Sequence, residues 1–433
     1  MRQVGFLAVV LACLSTAGAS GREATHGGLS IVPNAQLASM SGRVKVTASP
    51  DGKRVYFLGG LDSRSGVAIF QRNATTKALS RGTGPDSCIV TQIAASQCRK
   101  GPGLNNSFAM AVSPDSKDVV VGNYAGSSGI ALYRRTSGGG LAHVAAGSVT
   151  GRGVSSSYDF AFSPDGKNLY AAEKRSLGAL LVLDRDPVSG ALIEHADASG
   201  CFERSGHAAS ESPPCTSVPN ATFSPSLVRV SPDGGTVVVY AAGFYVFKRD
   251  PATGSLTLLG CQTEQPTAPC VAPAAGMPPI AEGMAYTSDG SALIVVGSDS
   301  STDHSRVLGR ADLLHVDTTT GAVSETACFE EQVAGCNAVV KIPDGAGGVA
   351  VSPDGQTVYI GGTLKLRAYQ VGPTGLTQIP GKVGCVSADA SNGCAHLGKT
   401  ARPSGGFRSL VATADGRSLY AAGGIGLAFA VSP

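Results

Sequence analysis

The residues of this chain that could do chemistry lie far apart in sequence. Arg64, Lys174, Arg175, Arg306 and Arg408, with Asn123 and Tyr124, are candidates for holding a ligand, and Glu173 and His304 are the candidates for activating water. Converging Arg and Lys groups could hold an anion while a carboxylate or His takes a proton from water. Asp299 and Asp303, in "SDSSTDHS" at 298–305, offer oxygens to calcium but lack the ordered spacing of a known calcium loop. Solvated loop charges look the same in sequence, so the meaning of all these groups depends on the elements that carry them.

Those elements repeat. "TASPDGKRVYFLGG" at 47 has relatives at 111, 161, 229, 285, 350 and 411, spaced 50 to 68 residues apart. Proline presets φ at the first central turn position, Asp bonds nearby backbone amides, and Gly takes the left-handed position that closes the hairpin. Seven equivalent copies favour a turn over a reacting Ser–Asp pair. The flanks are rich in Val, Tyr, Ile and Leu, as strands buried in a sheet-based repeat require. A third strand and a second hairpin follow, as in "LLVLDRDPVSGALIEH" at 180 and "YVFKRDPATGSLTLLG" at 245. Each unit is therefore four strands.

The seventh unit stops after "SLYAAGGIGLAFAVSP", with three strands. Its missing strand is at the other end, where "THGGLSIVP" at 25–33 precedes the first turn. The pattern predicts an all-β, seven-bladed β-propeller closed by the N-terminal strand, three strands plus one, which removes the exposed edges of an open array. In such a ring the loops between second and third strands share one face with the outer-to-inner crossovers. That face would carry the candidate site residues, together with Tyr158, Asp159, Glu282, His396 and Arg402.

The start, "MRQVGFLAVVLACLSTAGASGREATHG", reads as a secretory signal peptide over 1–19, leaving 20–433 as one propeller domain. Lipoprotein anchoring at Cys13 is the competing reading. The remaining ten cysteines fall into local couples, Cys88/Cys98, Cys201/Cys215, Cys261/Cys270, Cys328/Cys336 and Cys385/Cys394, which in an exported chain read as disulfides within the crossovers. Loop-closure reasoning gives each short ring about 2–3 kcal/mol. A net charge of +3 with no Lys/Arg run supplies no footprint for nucleic acid or an anionic membrane, and no later stretch has the apolar length of a membrane span. Secretion or a periplasmic location, a monomer, no cofactor, and a small-molecule, glycan or protein ligand are the expectations.

The repeated "AVSPDGxxVY" and "DPxTGxL" pattern, with crossovers such as "GCVSADASNGC" at 384–394, resembles the seven-bladed propellers of the YVTN and lactonase-like superfamily, in a secreted, disulfide-bearing branch. That superfamily includes 6-phosphogluconolactonase-like enzymes, so the resemblance implies a lactonase-like hydrolase as an alternative to a pure binding face or a structural cell-surface module. "VVVGNYAGSSGIALYRR" at 119–135 is similar to the "ANYxGG" segment of the lactonases, which carries over Asn123 and Tyr124 and, by looser position, Glu173. Two lactonase features are missing: the His before an inner strand, and the Asp-rich stretch, whose place is taken by "AAEKRSLGAL" at 171–180. The leading expectation is therefore a ligand-binding face at the channel mouth without a working catalytic set.

Overall fold

The computed structural model describes residues 26–39, 41–61, 64–91, 98–104, 107–123, 129–145, 149, 154, 156–174, 178–204, 214–219, 223–273, 280–300, 307–389, 393–397 and 405–432. They form seven sheets, antiparallel except for a short parallel strand at the outer edge of three of them. The innermost strands, in chain order, are Ser41–Ala48, Ala109–Val112, Ser157–Phe162, Leu227–Val230, Gly283–Tyr286, Gly348–Val351 and Ser409–Ala412. Each begins one blade of a propeller. In the seventh blade Ile425–Val431 pairs with Leu29–Ser39, in register Leu29 with Val431, so the N-terminal strand closes the ring as the pattern predicts.

The second strands are apolar throughout because both of their faces are covered. Val55 and Phe57 enter a slab shared with the seventh blade, whereas Tyr56 and Leu58 enter one shared with the second. The same alternation produces seven apolar clusters, one at each junction between blades. A period of two thus serves two cores at once.

The outer edges are more varied than four plain strands. In the first, third and sixth blades the partner of the third strand comes in two pieces, for example Leu79–Arg81 and Cys88–Val90 against Arg64–Arg72. A further short strand then lies parallel to the second piece. In the fourth and fifth blades one bulged strand, Leu256–Thr263 or Val323–Phe329, does the same work.

All five cysteine couples are bonded as expected: Cys88 to Cys98, Cys201 to Cys215, Cys261 to Cys270, Cys328 to Cys336 and Cys385 to Cys394, with Cα atoms 4.6–4.9 Å apart. Their placement differs from the expectation that each couple lies wholly within a crossover. The first member of every couple stands in a blade-edge strand, Cys88, Cys201 and Cys385 at the start of the second piece and Cys261 and Cys328 inside the bulged strand. The second members begin the return. Cys98, Cys215 and Cys394 directly precede the parallel strands Arg99–Lys100, Thr216–Val218 and Ala395–His396, and Cys270 precedes Val271, which bridges Gln262 in parallel. A parallel neighbour cannot be reached through a tight hairpin turn, so the chain must loop back first. The disulfide holds the ends of that loop together.

The Ser-Pro-Asp-Gly turns prove to be more than turns. In six of them the first-position hydroxyl, from Ser49, Ser113, Ser163, Ser231, Ser352 or Thr413, donates to the aspartate at 2.5–2.6 Å. The second turn puts Ser116 at φ +62, where the others have glycine, and its hydroxyl accepts a bond from the Asp51 amide of the first blade at 2.9 Å. At four junctions the aspartate also meets an arginine that ends the third strand of the next blade. Arg72 meets Asp415, Arg135 meets Asp51, Arg185 meets Asp115 and Arg249 meets Asp165, all at 2.8–2.9 Å. The equivalent positions in the last three blades are Val316, Val371 and Val431, and Asp354 pairs instead with His26 of the closing segment at 2.9 Å.

Burial alone would raise these carboxyl groups, but bonds from hydroxyl, guanidinium and amide outweigh it. Asp51 is lowered to about 2, and Asp115, Asp165 and Asp415 also lie below the usual carboxylate range. Depressed values mean that the stabilisation is present above the unfolded value of about 3.9 and is lost as pH falls toward the folded one. Asp415→Asn keeps the turn's acceptor but leaves buried Arg72 without its counter-charge. It is expected to cost about 3 kcal/mol in denaturant unfolding at pH 7, with the deficit shrinking below pH 4. Asp289→Asn, in a turn with no arginine partner among the described residues, should stay within about 0.5 kcal/mol. Equal losses in the two variants would show that the turn and not the ion pair carries the effect.

Candidate functional site: the channel and its mouth

The inner strands enclose a channel. On the crossover face it opens into a cavity of about 620 Å³ whose walls include Phe108, Tyr158, Lys174, Ile280, Glu282 and Arg408. Below lies a shaft of about 480 Å³ that reaches Pro50 and Pro114 of the opposite turns. Lys45, Glu282 and Arg408 line both spaces.

Asp159, 2% exposed, is the fixed negative point of the channel. Lys45 approaches one oxygen at 3.2 Å, Arg229 binds the other, and the Val228 amide donates at 3.3 Å. Arg229 also donates through Nε to the Met284 carbonyl at 2.6 Å, so strands from the first, third, fourth and fifth blades meet here. Burial pushes the Asp159 pKa up, but Arg229 and Lys45 push harder and hold it below the ordinary value.

A second pair joins the fifth blade to the seventh. Arg408 Nη1 lies 2.5 Å from Glu282 Oε2, and Ser298 Oγ donates to Glu282 Oε1 at 2.8 Å. Gly347 of the sixth blade lies beneath: a Cβ there would come within 2.8 Å of Glu282 Oε2 and 3.0 Å of Arg408 Nη1. On the side of the second and third blades, Phe108 and Tyr158 pack edge to face with centroids 5.8 Å apart, and Lys174 Nζ sits 5.1 Å from the Tyr158 centroid.

Of the residues singled out in sequence, Tyr158, Lys174, Glu282 and Arg408 stand at the mouth and Asp159 in the shaft below it. Asn123 and Glu173 are brought together, but around Ser157 and inside the wall. The Ser157 amide donates to the Asn123 carbonyl at 3.2 Å and its hydroxyl donates to Glu173, which is fully buried. His396 is exposed on the outer edge of the sixth blade, in the short strand Ala395–His396. Tyr124, Arg175, Asp303, His304, Arg306 and Arg402, with the side chains of Arg64 and Asp299, lie outside the described residues. Sequence reasoning passed over Lys45 and Arg229. Their signal is a cation between two valines of an inner strand, Lys45 in "RVKVTA" and Arg229 in "LVRVSP".

One further group of potential ligands, Asp312, Glu325 and Cys328, lies within 4.8 Å in the fifth blade. The Cys328 sulfur is bonded to Cys336, and the guanidinium of Arg310 already sits among the acids, 2.7 Å from Asp312, 3.3 Å from Glu325 and 3.7 Å from Glu330. The cluster is an interior charge network rather than a metal centre.

Residues 22–201 match the family model described as "Lactonase, 7-bladed beta-propeller". No curated protein matches the sequence. Among solved structures, hydrazine synthase from Kuenenia stuttgartiensis aligns at 16% identity over 93% of this chain and 99% of its own, with a TM-score of 0.53. A Bacteroides fragilis protein described as a candidate 6-phosphogluconolactonase aligns at 16% identity over 80% of this chain and 85% of its own, with a TM-score of 0.52. At such identities the likeness is one of fold. By its fold the chain is a seven-bladed β-propeller, and its residues 22–201 are similar to the lactonase family of such propellers.

Burial, with Glu325 nearby, pushes Asp312 up to about 7 despite Arg310. A carboxyl raised in the folded state contributes stability below its unfolded value of about 3.9, and this contribution is lost as pH rises through 7. Asp312→Asn mimics the protonated form. Its melting temperature should match that of the natural protein near pH 4 and exceed it above pH 7.5. A deficit that grows with pH would mean that the ionised carboxylate is needed by Arg310.

Proposed function

We propose that this protein is an exported propeller whose channel mouth binds a small anionic ligand. One observation carries the reading: in a concave space, Lys45, Arg229 and Arg408 face only two carboxylates, Asp159 and Glu282, among the described residues. Low-dielectric walls focus such a field and raise the local concentration of anions. Export fits the leader-like start and the five disulfides, which persist in oxidising compartments.

The family match favours lactone hydrolysis as a second reading. That chemistry needs a group that activates water beside the bound acyl carbon. Glu173 is a poor source, because its carboxylate is buried and accepts the Ser157 hydroxyl proton. Asp159 is occupied by two cations.

In a thermal-shift series at pH 7, inorganic phosphate and simple carboxylates should raise the melting temperature where neutral sugars do not. Saturation at 100 times Kd corresponds to about 2.7 kcal/mol. Lys45→Met should abolish the shift, and a shift indifferent to Lys45 would sink the proposal. Turnover of sugar lactones should be slight and unchanged in Glu173→Gln; robust hydrolysis lost in that variant would establish the enzyme reading instead.

A further inference from the structure

The Glu282–Arg408 pair is unusual for where it stands. Both side chains are substantially exposed, 33% and 43%, yet they reach across an intervening blade to meet where mouth and shaft join. An exposed ion pair contributes only about 0–1 kcal/mol, so the ring does not depend on it for stability. Glu282 also has a second partner, because Ser298 already holds its other oxygen. The carboxylate can therefore leave Arg408 without losing every bond.

The same cavity offers a second kind of contact. Tyr158 presents a ring steadied by Phe108 and by the Lys174 ammonium, while the side of the sixth and seventh blades is bare backbone at Gly347, Gly405 and Gly423. An aromatic wall on one side and the three glycines beside Arg408 on the other leave room for a ring.

We infer that Glu282 stands where a ligand's carboxylate belongs, and that the mouth takes a small ring compound bearing a single carboxylate. The ligand's carboxylate replaces Glu282 on Arg408 and its ring lies on Tyr158. Swapping one carboxylate for another re-forms the same charge-assisted bond, so the exchange itself costs little and the ring contact supplies the gain. Charge also selects: lining the mouth and shaft together, the four cations Lys45, Lys174, Arg229 and Arg408 exceed Asp159 and Glu282 by two, which favours an anion over a neutral ring. This inference rests on the proposed anion-binding mouth and specifies its ligand.

The test is calorimetric titration of the purified protein with glucuronate, benzoate, glucose and inorganic phosphate. Glucuronate and benzoate should bind, with glucose weaker by about tenfold or more. Glu282→Gln removes the internal competitor and should tighten both carboxylates by about tenfold, whereas Arg408→Gln and Tyr158→Ala should each weaken them by a similar factor. A merely structural ion pair gives the opposite sign or no change in Glu282→Gln, and either result overturns the inference. If phosphate binds in a Lys45-dependent way but neither carboxylate binds the natural protein or Glu282→Gln, the inference falls while the anion-binding mouth stands. If no anion binds, both fall.

Discussion

A sheet whose two faces are both apolar cannot end against water. Every second strand here sends alternate side chains into two different slabs, so each blade needs a neighbour on both sides, and only a ring covers both faces of all seven blades. The channel follows from this constraint. Where seven inner strands converge, the chain must line a cavity, and what it places there decides what the molecule can do.

The turns show how one tetrapeptide can meet several demands. The aspartate satisfies its own turn by accepting from the hydroxyl and from the backbone, and at four junctions it fastens the next blade as well. The apolar slabs supply most of the adhesion without direction, whereas the ion pairs fix how the blades are staggered. A slab of Val, Leu and Ala could slide. A guanidinium bound to both oxygens of a carboxylate, as Arg185 is to Asp115, could not.

Much of this architecture was legible because its signals are local. The turn motif, the flanking strands and the cysteine couples each span fewer than twenty residues. The arginines at 72, 135, 185 and 249 were equally visible in "FQR", "YRR", "LDR" and "FKR". Their partners were not, since a turn meets the next unit's third strand only once the blades are stacked. The split outer edges escaped for a related reason: segments such as Cys88–Val90 are too short to show a period, which is also why the couples, rightly paired, were set in the crossovers and not against the blade edge. At the site, Lys174 and Arg408 could be placed because loop position decides exposure. Glu173 could not, for only the packing of Ser157 determines that its carboxylate turns into the wall.

The uneven fastening of the ring bears on where its chain could be cut. The first and last described segments already meet, with the Ser432 amide donating to the Gly28 carbonyl at 2.9 Å, so a short peptide could join them. The natural seam, however, lies beside a clasped junction, that of Arg72 and Asp415. A circularly permuted chain opened between the fifth and sixth blades would have its new termini at a junction without such a clasp among the described residues, packed around Val358, Ile360 and Tyr369. All four arginine–aspartate clasps would then lie within one uninterrupted run of blades, from the seventh through the fourth. The order in which this protein threads its blades is thus one of several that the same set of contacts would accept.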